Sequence, residues 1–385
     1  MPTCSRDFRL LFASRMLRLF AYGFLAVVLV LYLSAIGLSE ARIGLLLTLT
    51  FLGDAAISLW LSTHADRWGR RRVLLVGAGL VMLGGAGMAV TENFLLLALA
   101  ATVGVISPTG SEVGPFLAVE QACLAHVVND QERTQVFAWY HVAGFTASAL
   151  GAIAGGWLVH ALQQAGWNSA AAYRVLFWAY AVVGAALAVI AWAFSPTVEV
   201  HAPGEHTGPI VSLLGLPTSR GIVLGLSGLF TVDAFAGGFI VQSFLAYWFH
   251  KKFGADIGTL GTIFFGTNLI TGFSALAAVP LARRIGLVNT MVWTHLPSNV
   301  LLMVVPLMPT LAGAVAVLLT RHVISQMDVP TRQSYVNAIV PANERSAANG
   351  VTTTARQLGT SLAPLLAGPL LGSALANLAF YISGG

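Results

Sequence analysis

The chain has 385 residues, of which 57% are hydrophobic and only 9% carry a charge. Together with a mean hydropathy of +0.80, this composition excludes a soluble globular protein, in which roughly 25% of residues are charged. The net charge of +5 does not call for a nucleic-acid partner, because the placement of the basic residues explains it as a signal of membrane topology.

Hydrophobic runs long enough to cross about 30 Å of hydrocarbon recur along the chain. They predict eleven membrane helices, called spans one to eleven, at residues 12–36, 43–63, 73–90, 94–128, 136–162, 173–194, 222–249, 257–282, 288–308, 311–340 and 347–371. A twelfth run starts near Ser373, with about a dozen residues, too few to cross a bilayer. We expect an all-α membrane protein whose last helix is truncated.

The basic residues fall mainly in alternate loops. One set of loops holds eleven of them, and the other set holds four, namely Arg42, Arg174, Lys251 and Lys252. Because short loops rich in Lys and Arg stay in the cytoplasm, this asymmetry places the N-terminus inside, in a plasma or inner membrane. Cys4 and Cys123 are far apart and on or near the inner side, so we expect no disulfide.

The chain repeats itself at an offset of 212 residues. This shift lays Glu120 on Arg332, Glu132-Arg133 on Glu344-Arg345, and Arg71-Arg72 on Arg283-Arg284. One offset shared by three places predicts two six-helix halves in parallel orientation, related by an axis along the membrane normal. We place the halves at residues 1–195 and 220–385, with a cytoplasmic linker rich in Pro and Gly at 196–219.

The loop after span two packs five charges and a turn glycine between two hydrophobic runs: Ser62-Thr-His-Ala-Asp-Arg-Trp-Gly-Arg-Arg-Arg72. It resembles the loop of the major facilitator superfamily with the pattern Gly-x-Leu-Ala-Asp-Arg-x-Gly-Arg-Arg. The matching residues are Asp66, Arg67, Gly69, Arg70 and Arg71. Ser62 and His64 stand where the pattern has its leading glycine and its leucine.

This resemblance implies the fold of the superfamily and a role for the loop at the cytoplasmic seam between the halves. Asp66 would contact helix termini there, Arg70 would pair with a nearby acid, and these contacts would hold one state of the transport cycle. The same gating role is expected of Arg67, Gly69, Arg71, Glu120, Glu132, Arg133, Arg332, Glu344 and Arg345.

Polar groups inside the spans are costly and therefore mark functional positions. Span one offers Arg15, Arg18 and Tyr22, which share one helix face because they are three and four residues apart. We expect this stripe to point at a central cavity, with Arg18 and Tyr22 contacting the substrate. The alternative is that the arginines snorkel to the lipid headgroups.

Span four combines helix breakers with acids, in Ser107-Pro-Thr-Gly-Ser-Glu-Val-Gly-Pro115 and then Glu120. Broken backbone at this depth is tolerated only where it lines a cavity or is buried in protein. Glu112 and Glu120 are about 12 Å apart along the helix axis, so they are not a catalytic carboxylate pair. Glu112 is the first candidate for proton coupling. Glu120 either takes part in gating or simply pairs with an arginine.

Span ten holds Arg321, Ser325, Asp328 and Arg332 on a single helix face. Asp328, flanked by two arginines, is expected to orient them rather than carry a proton. Arg321 and Asp328 are therefore candidates for substrate binding. Because Arg332 overlays Glu120 in the repeat, we expect these two to form a charge pair that breaks and reforms as the halves rock. A static buried salt bridge is the alternative.

Further candidates lie in other spans. Asp54 of span two lies about 18 Å deeper than the loop motif, near mid-membrane, and Asp233 of span seven is similar, so both rival Glu112 for proton coupling. Asn268 of span eight and Arg356 of span eleven are expected to contact the substrate. His141 of span five is suited to proton exchange, although a local hydrogen bond is the simpler interpretation.

Span five contains Gly144, Gly151, Gly155 and Gly156, small residues that allow close contact between membrane helices. They resemble the antiporter motif of drug exporters in the superfamily, although the proline before the final glycines is absent. The arginine that such exporters carry in span four is absent too, and its nearest counterpart is Arg321.

The sequence has no phosphate-binding loop with lysine, no metal-spaced Cys/His cluster and no nucleophile elbow, so we expect no enzyme, cofactor or metal site. We predict a monomeric secondary transporter working by alternating access, with proton-coupled efflux of an organic anion, drug-like molecule or amphipathic metabolite. A proton-coupled importer, a uniporter, a transporter-like receptor or sensor, and a lipid scramblase are the alternatives. The expected partners are a small substrate, a coupling ion and lipid.

Overall fold

The computed structural model describes residues 6–128, 130–199, 216, 218–341 and 344–385, and the side chains of 63, 66, 67, 125–127, 130–134, 197 and 346 lie outside that description. The described residues form helices and contain no strand. The helices are α1 (Arg6–Ala35), α2 (Glu40–Trp68), α3 (Arg70–Val90), α4 (Phe94–Val103), α5 (Phe116–Val127), α6 (Asp130–Gln164), α7 (Ser169–Trp192), α8 (Arg220–Gly237), α9 (Gln242–Phe253), α10 (Ile257–Ile285), α11 (Leu287–Val304), α12 (Leu311–Ser325), α13 (Asp328–Ile339), α14 (Arg345–Leu371) and α15 (Leu378–Gly384).

Eight helical stretches of the described residues are long and apolar enough to cross a membrane. Spans four, ten and eleven, for which the sequence also predicts membrane helices, are not among these eight. Residues 104–115 divide span four into α4 and α5, and span ten is interrupted at Gln326–Met327, between α12 and α13. Span seven also contains an interruption, a 3₁₀ turn at Gly238–Ile240. The twelfth run forms only the short α15, as its length indicates.

Local sequence explains where several helices start. Ser39, Asn93 and Asn168 accept hydrogen bonds from the first free N–H groups of α2, α4 and α7, which a helix start otherwise leaves without a partner. Between α2 and α3, the chain turns within one residue, Gly69, whose φ is +94°. Glycine adopts this region without the steric cost that a side chain brings.

Within each half the helices pack on one another, α1 on α6 and α7, and α8 on α14. The halves themselves meet mainly along two helix pairs, α6 with α10 and α2 with α14, and α1 also contacts α9. Glycines permit both contacts: a Cβ atom on Gly156 would lie 2.8 Å from the Cα of Gly261, and one on Gly44 would lie 2.3 Å from the carbonyl oxygen of Pro364. The glycines of span five thus lie at close helix contacts.

The ion pairs that the described residues form between the halves lie at one end of the bundle, called here the far end. There Glu40 accepts hydrogen bonds from Tyr247 at 2.8 Å and from Lys251 at 2.7 Å, and His160 lies 3.2 Å from Asp256. At the other end, which carries Arg70–Arg72, Arg283 and Arg345 and is called the arginine-rich end, α5 packs on α1, α2 and α3, and α13 packs on α10, α11 and α14. Among the described residues, ion pairs thus join the two halves at the far end, whereas the helices named at the arginine-rich end pack within their own half.

Candidate functional site

A cavity of about 380 Å³ lies between the halves, within the range of about 300–1,000 Å³ that is usual for small-molecule sites. The first half contributes Thr109 and Ser111 from the interruption of span four and Phe145 from α6. The second half contributes most of the wall, from α8 through α15. The interruptions of spans four, seven and ten all border this cavity, which explains how non-helical backbone is tolerated at this depth.

One wall of the cavity presents hydrogen-bond donors that have no partner among the described residues. The Nε atom of Arg321, the Nδ2 atom of Asn268 and the Nε2 atom of Gln242 are all buried and unpaired, as is the hydroxyl of Ser325. Asn268 is only 9% exposed. Buried donors without partners carry a desolvation cost that a bound ligand can remove. Arg321 and Asn268 were both predicted as substrate contacts, and the structure places both in the cavity wall.

Ion pairs cover another part of the wall. The carboxylate of Asp233 lies 3.3 Å from Arg332, 3.0 Å from Arg356 and 3.0 Å from His295. Arg332 also forms an ion pair with Asp328, one helical turn earlier. Asp328 and Arg356 thus line the cavity as expected, and Asp233 lies there too, although it is bound to two arginines.

Counting arginines and aspartates, this wall holds three positive charges against two negative ones. Asp233 and Asp328 form ion pairs with Arg332 and Arg356, whereas Arg321 forms no ion pair with any described residue. The cavity therefore carries at least one uncompensated positive charge, and His295, which lies 3.0 Å from Asp233 and 3.7 Å from Asp328, adds another when it is protonated.

A second ionic cluster is buried in the first half. The guanidinium of Arg18 lies 2.7 Å from Glu112 and 2.7 Å from Glu120, and Arg15 lies 2.8 Å from Glu112. The hydroxyl groups of Ser14, at 2.6 Å, and Tyr140, at 2.5 Å, donate to Glu120. Two arginines balance two glutamates, as burial demands, because an unpaired charge is expensive inside a protein.

This cluster contains several of the residues predicted to form functional sites. Arg18 and Tyr22 are both 0% exposed and do not border the cavity, so the structure does not place them at a substrate. Arg15 and Arg18 pair with acids rather than reaching towards headgroups. In this arrangement Arg15 and Arg18 of α1 face Glu112 and Glu120 and not the cavity.

Two further predictions change. Glu112 is held between two arginines, so a proton there would leave a net positive charge buried in the cluster. Glu120 and Arg332 do not pair with each other, because Glu120 bonds to Arg18 and Arg332 bonds to Asp233 and Asp328. The Nδ1 atom of His141 accepts a hydrogen bond from Arg15 at 3.3 Å, which fits the simpler interpretation of His141 as a hydrogen-bond partner.

Asp54 has a different environment. It is 8% exposed, and its carboxylate accepts hydrogen bonds from the backbone N–H of Gly114 at 2.6 Å and from the hydroxyl of Ser58 at 3.3 Å. Among the described residues, no basic side chain forms an ion pair with it. Asp54 therefore differs from Glu112, Glu120 and Asp233, each of which has at least one arginine partner.

The loop motif lies at the arginine-rich end, where the carboxylate of Glu199 lies at the N-terminus of α3. This carboxylate accepts hydrogen bonds from the backbone N–H groups of Arg70 at 2.8 Å and Arg71 at 3.1 Å, a favourable place for an anion. Gly69 lies beside it, since a Cβ there would be 3.0 Å from Glu199. The predicted roles of Asp66, Arg67, Glu132 and Arg133 concern side chains outside the described part of the chain.

Glu344 plays a comparable part in the second half. Its carboxylate accepts hydrogen bonds from the backbone N–H groups of Thr218 and Ser219, both at 3.0 Å, just before α8. Burial would raise the pKa of Glu344, but these hydrogen bonds outweigh burial and hold the pKa below its ordinary value. Arg345 donates to the backbone carbonyl of Asn337 at 2.9 Å. The gating roles predicted for both residues remain predictions.

Sequence reasoning missed Gln242, His295 and Glu199. Gln242 interrupts the apolar run of span seven beside the 3₁₀ turn, and His295 stands two residues before Pro297 in span nine. A polar residue inside a span is a functional signal in itself, so both could have been found. Glu199 lies in the predicted linker, where its partner could not be inferred.

Known sequences resemble nearly the whole chain. The sequence profile described as the Major Facilitator Superfamily matches residues 11–364. The chain is similar to the "Uncharacterized membrane protein YJR124C" of Saccharomyces cerevisiae, with 31% identity over 408 aligned positions that cover 99% of this chain and 91% of the yeast protein.

Solved structures resemble the fold at low sequence identity. The nucleoside transporter NupG, solved as a point mutant, has a TM-score of 0.79 and 14% identity, covering 99% of this chain and 96% of NupG. The inward-open xylose transporter XylE from E. coli has a TM-score of 0.76 and 14% identity, with coverages of 98% and 92%. These likenesses confirm the predicted all-α fold. By its sequence and its fold, the chain belongs to the Major Facilitator Superfamily, and it is a membrane transporter rather than an enzyme.

Proposed function

We propose that the chain is a secondary active transporter that exports a small organic anion, including amphipathic ones, in exchange for protons. The observation that carries this proposal is the charge imbalance of the cavity, in which Arg321 has no carboxylate partner among the described residues. An anionic group bound there would neutralise the charge and accept hydrogen bonds from the unpaired donors of Asn268 and Gln242.

Alternating access is supported by the way the halves meet. They are joined at the far end through Glu40, Lys251, His160 and Asp256, whereas the helices named at the arginine-rich end pack within their own half. With the N-terminus in the cytoplasm, as the distribution of basic residues favours, this is an inward-open arrangement. We take residues 1–195 and 220–385 as the two rocking halves, joined by the linker at 196–219.

Exchange for protons and outward direction rest on two further arguments. Asp54 is a buried carboxyl group that can change its charge without leaving an arginine unpaired. The loop motif and the glycines of span five resemble those of exporters in the superfamily. One chain supplies the whole described wall of the cavity, so a monomer is sufficient.

The test uses purified protein in liposomes that contain a pH-sensitive dye. Benzoate, citrate and lactate are compared with uncharged uridine and xylose as drivers of proton movement. We expect anions alone to drive it, and Arg321→Gln to weaken their apparent affinity by about 10- to 100-fold, since a hydrogen bond to a charged group contributes roughly 1.5–3 kcal/mol.

The matched control is Arg174→Gln, which removes an arginine that pairs with Glu92 outside the cavity. It should leave the affinity unchanged. Transport of uridine or xylose that Arg321→Gln does not affect would contradict the anion assignment. Binding of an anion without any flux would favour a receptor.

A further inference from the structure

We propose that Asp54 is the proton-binding site of this carrier, and that its protonation acts on residues 104–115, the interruption of span four, through the backbone of Gly114. This inference rests on the proposed exchange for protons and names the residue responsible. It replaces Glu112 in that role.

The first argument is the surroundings of Asp54. The titratable groups that interact with it are Glu112 from the interruption, Tyr22 from α1 and Tyr180 from α7. From α3, α4, α5 and α14, the other helices near α2, no charged group of the described residues faces it. Asp54 can therefore take up a proton without stranding a cation, whereas Glu112 and Asp233 cannot.

The second argument is the conformation of the interruption. Gly114 has a φ of +81°, and a Cβ atom there would lie 2.4 Å from a methyl carbon of Val105. Val105 itself has a φ of +52°, which is rare for a β-branched residue. Such a backbone persists only where its surroundings hold it. Here the Tyr180 hydroxyl donates to the carbonyl of Val105 at 2.8 Å, and Asp54 accepts from Gly114.

The third argument is that the same interruption touches the other half and the cavity. The backbone N–H of Ser243, in α9, donates to the carbonyl of Pro108 at 3.1 Å. A Cβ atom on Gly110 would lie 3.2 Å from the side-chain amide of Gln242. Thr109, which lies between Pro108 and Gly110 in the chain, lines the cavity together with Gln242.

These contacts give a physical route from the proton to the substrate. A carboxylate is a stronger acceptor for an N–H group than a neutral carboxyl group, so the ionised form of Asp54 favours the arrangement of residues 104–115 seen here. Protonation weakens the hydrogen bond to Gly114 and frees this strained segment, which contacts Gln242 in the cavity wall. Proton binding and substrate binding are then linked through one backbone segment.

Infrared difference spectroscopy on the purified protein, without any substrate, tests the proton site. A pH titration should show the carbonyl band of a protonated carboxyl group appearing on acidification. The band should shift when aspartate is labelled with ¹³C at its carboxyl carbon, and it should be absent in Asp54→Asn. The Glu112→Gln variant is the matched control and should keep the band.

The isotope shift in the unmutated protein keeps the test valid if Asp54→Asn does not fold, since a glutamate band would not move. A band that is insensitive to aspartate labelling, or that disappears in Glu112→Gln and stays in Asp54→Asn, would overturn the proposal. This result would leave the proposal of anion transport standing, because the liposome assay tests that proposal separately.

The route is tested by the reactivity of a cysteine placed at Thr109, with Cys4 and Cys123 replaced by serine. Its rate of modification by a water-soluble thiol reagent, corrected for the thiolate fraction of a free thiol, should change with pH at the midpoint of the infrared band. Asp54→Asn should abolish this dependence, while Glu112→Gln should retain it. A corrected rate that does not vary with pH would refute the link to residues 104–115.

Discussion

Glu120 on α5 and Arg332 on α13 are equivalent positions of the internal repeat, yet each is neutralised within its own half. Glu120 lies 2.7 Å from Arg18 on α1, and Arg332 lies 3.3 Å from Asp233 on α8. In the first half, the first helix supplies the cation of the ion pair, Arg18. In the second half, the first helix supplies the anion, Asp233. In this arrangement the halves can rock without breaking an ion pair between these two residues.

This separation predicts the outcome of two double-mutant cycles. Asp233→Asn combined with Arg332→Met should show a coupling of about 0.5–3 kcal/mol in the free energy of unfolding, because the two side chains are in contact. Glu120→Gln combined with Arg332→Met should be additive within about 0.5 kcal/mol. Thermal unfolding in detergent provides the measurement, and a large coupling in the second cycle would restore the predicted pair across the halves.

Removing Arg18 should destabilise the first half strongly. Arg18→Met leaves the buried Glu120 and the nearly buried Glu112 with too little positive charge, a change that typically costs about 3–5 kcal/mol. Arg174→Met, which breaks a more exposed pair with Glu92, should cost no more than about 1 kcal/mol. Unfolding midpoints of the two variants should differ accordingly.

A further variant shows whether charge is the cause. Adding Glu112→Gln and Glu120→Gln to Arg18→Met should recover part of the lost stability. If the triple variant is less stable than Arg18→Met, packing rather than charge dominates this cluster.

Crowding the far end should shift the carrier towards the opposite, outward-open state. A Cβ atom on Gly261 would lie 2.6 Å from the carbonyl oxygen of Ala152, and overpacking of this kind typically costs about 1–3 kcal/mol. Gly261→Val should therefore change the ratio of the two states by roughly 5- to 150-fold. The readout is modification of a cysteine at Ser111 by an impermeant reagent added from either side.

Gly225→Val is the control for this experiment, because a Cβ atom there meets nothing within 4 Å. It should leave the accessibility unchanged. Equal behaviour of the two variants would mean that the α6–α10 contact does not close the far end.

Glu344 should make the stability of the second half depend on pH. Its pKa is lowered in the folded protein, so the ionised carboxylate contributes stability at pH values above the ordinary value of 4.5. This contribution disappears as the pH falls through the lowered pKa. Glu344→Gln should accordingly lower the unfolding midpoint at pH 7.

At a pH below the folded-state pKa of Glu344, the midpoints of Glu344→Gln and the unmodified protein should converge. Arg345→Gln removes the neighbouring charge and should show no such convergence. A constant difference for Glu344→Gln across the pH range would mean that the charge of Glu344 contributes nothing to the start of α8.

Much of the architecture could be predicted from the sequence, because the bilayer imposes long apolar runs and makes intramembrane charges conspicuous. The interruption of span four followed from Pro108, Gly110, Gly114 and Pro115. The cavity positions of Arg321 and Asn268 were anticipated in the same way, as polar groups inside spans.

The sequence could not predict which acid pairs with which arginine, because several acids far apart in the sequence can pair with the same arginine. Glu112 was predicted as a proton site and Glu120 as a gating residue or an arginine partner, whereas in the structure Arg18 pairs with both. The same geometry leaves Asp54 without a cation. Its contact with Gly114 depends on a positive φ within residues 104–115, and a helical pattern does not reveal that angle.

The uncompensated charge of Arg321 also decides where the membrane voltage acts. Moving one elementary charge through the membrane field changes the energy by about 2.3 kcal/mol per 100 mV. When the cavity is empty, its excess positive charge experiences the field as access alternates. A bound monovalent anion offsets one unit of this charge and so weakens the effect of the field. We therefore expect the membrane potential to act more strongly on the step in which the carrier returns without the anion than on the step in which it carries the anion.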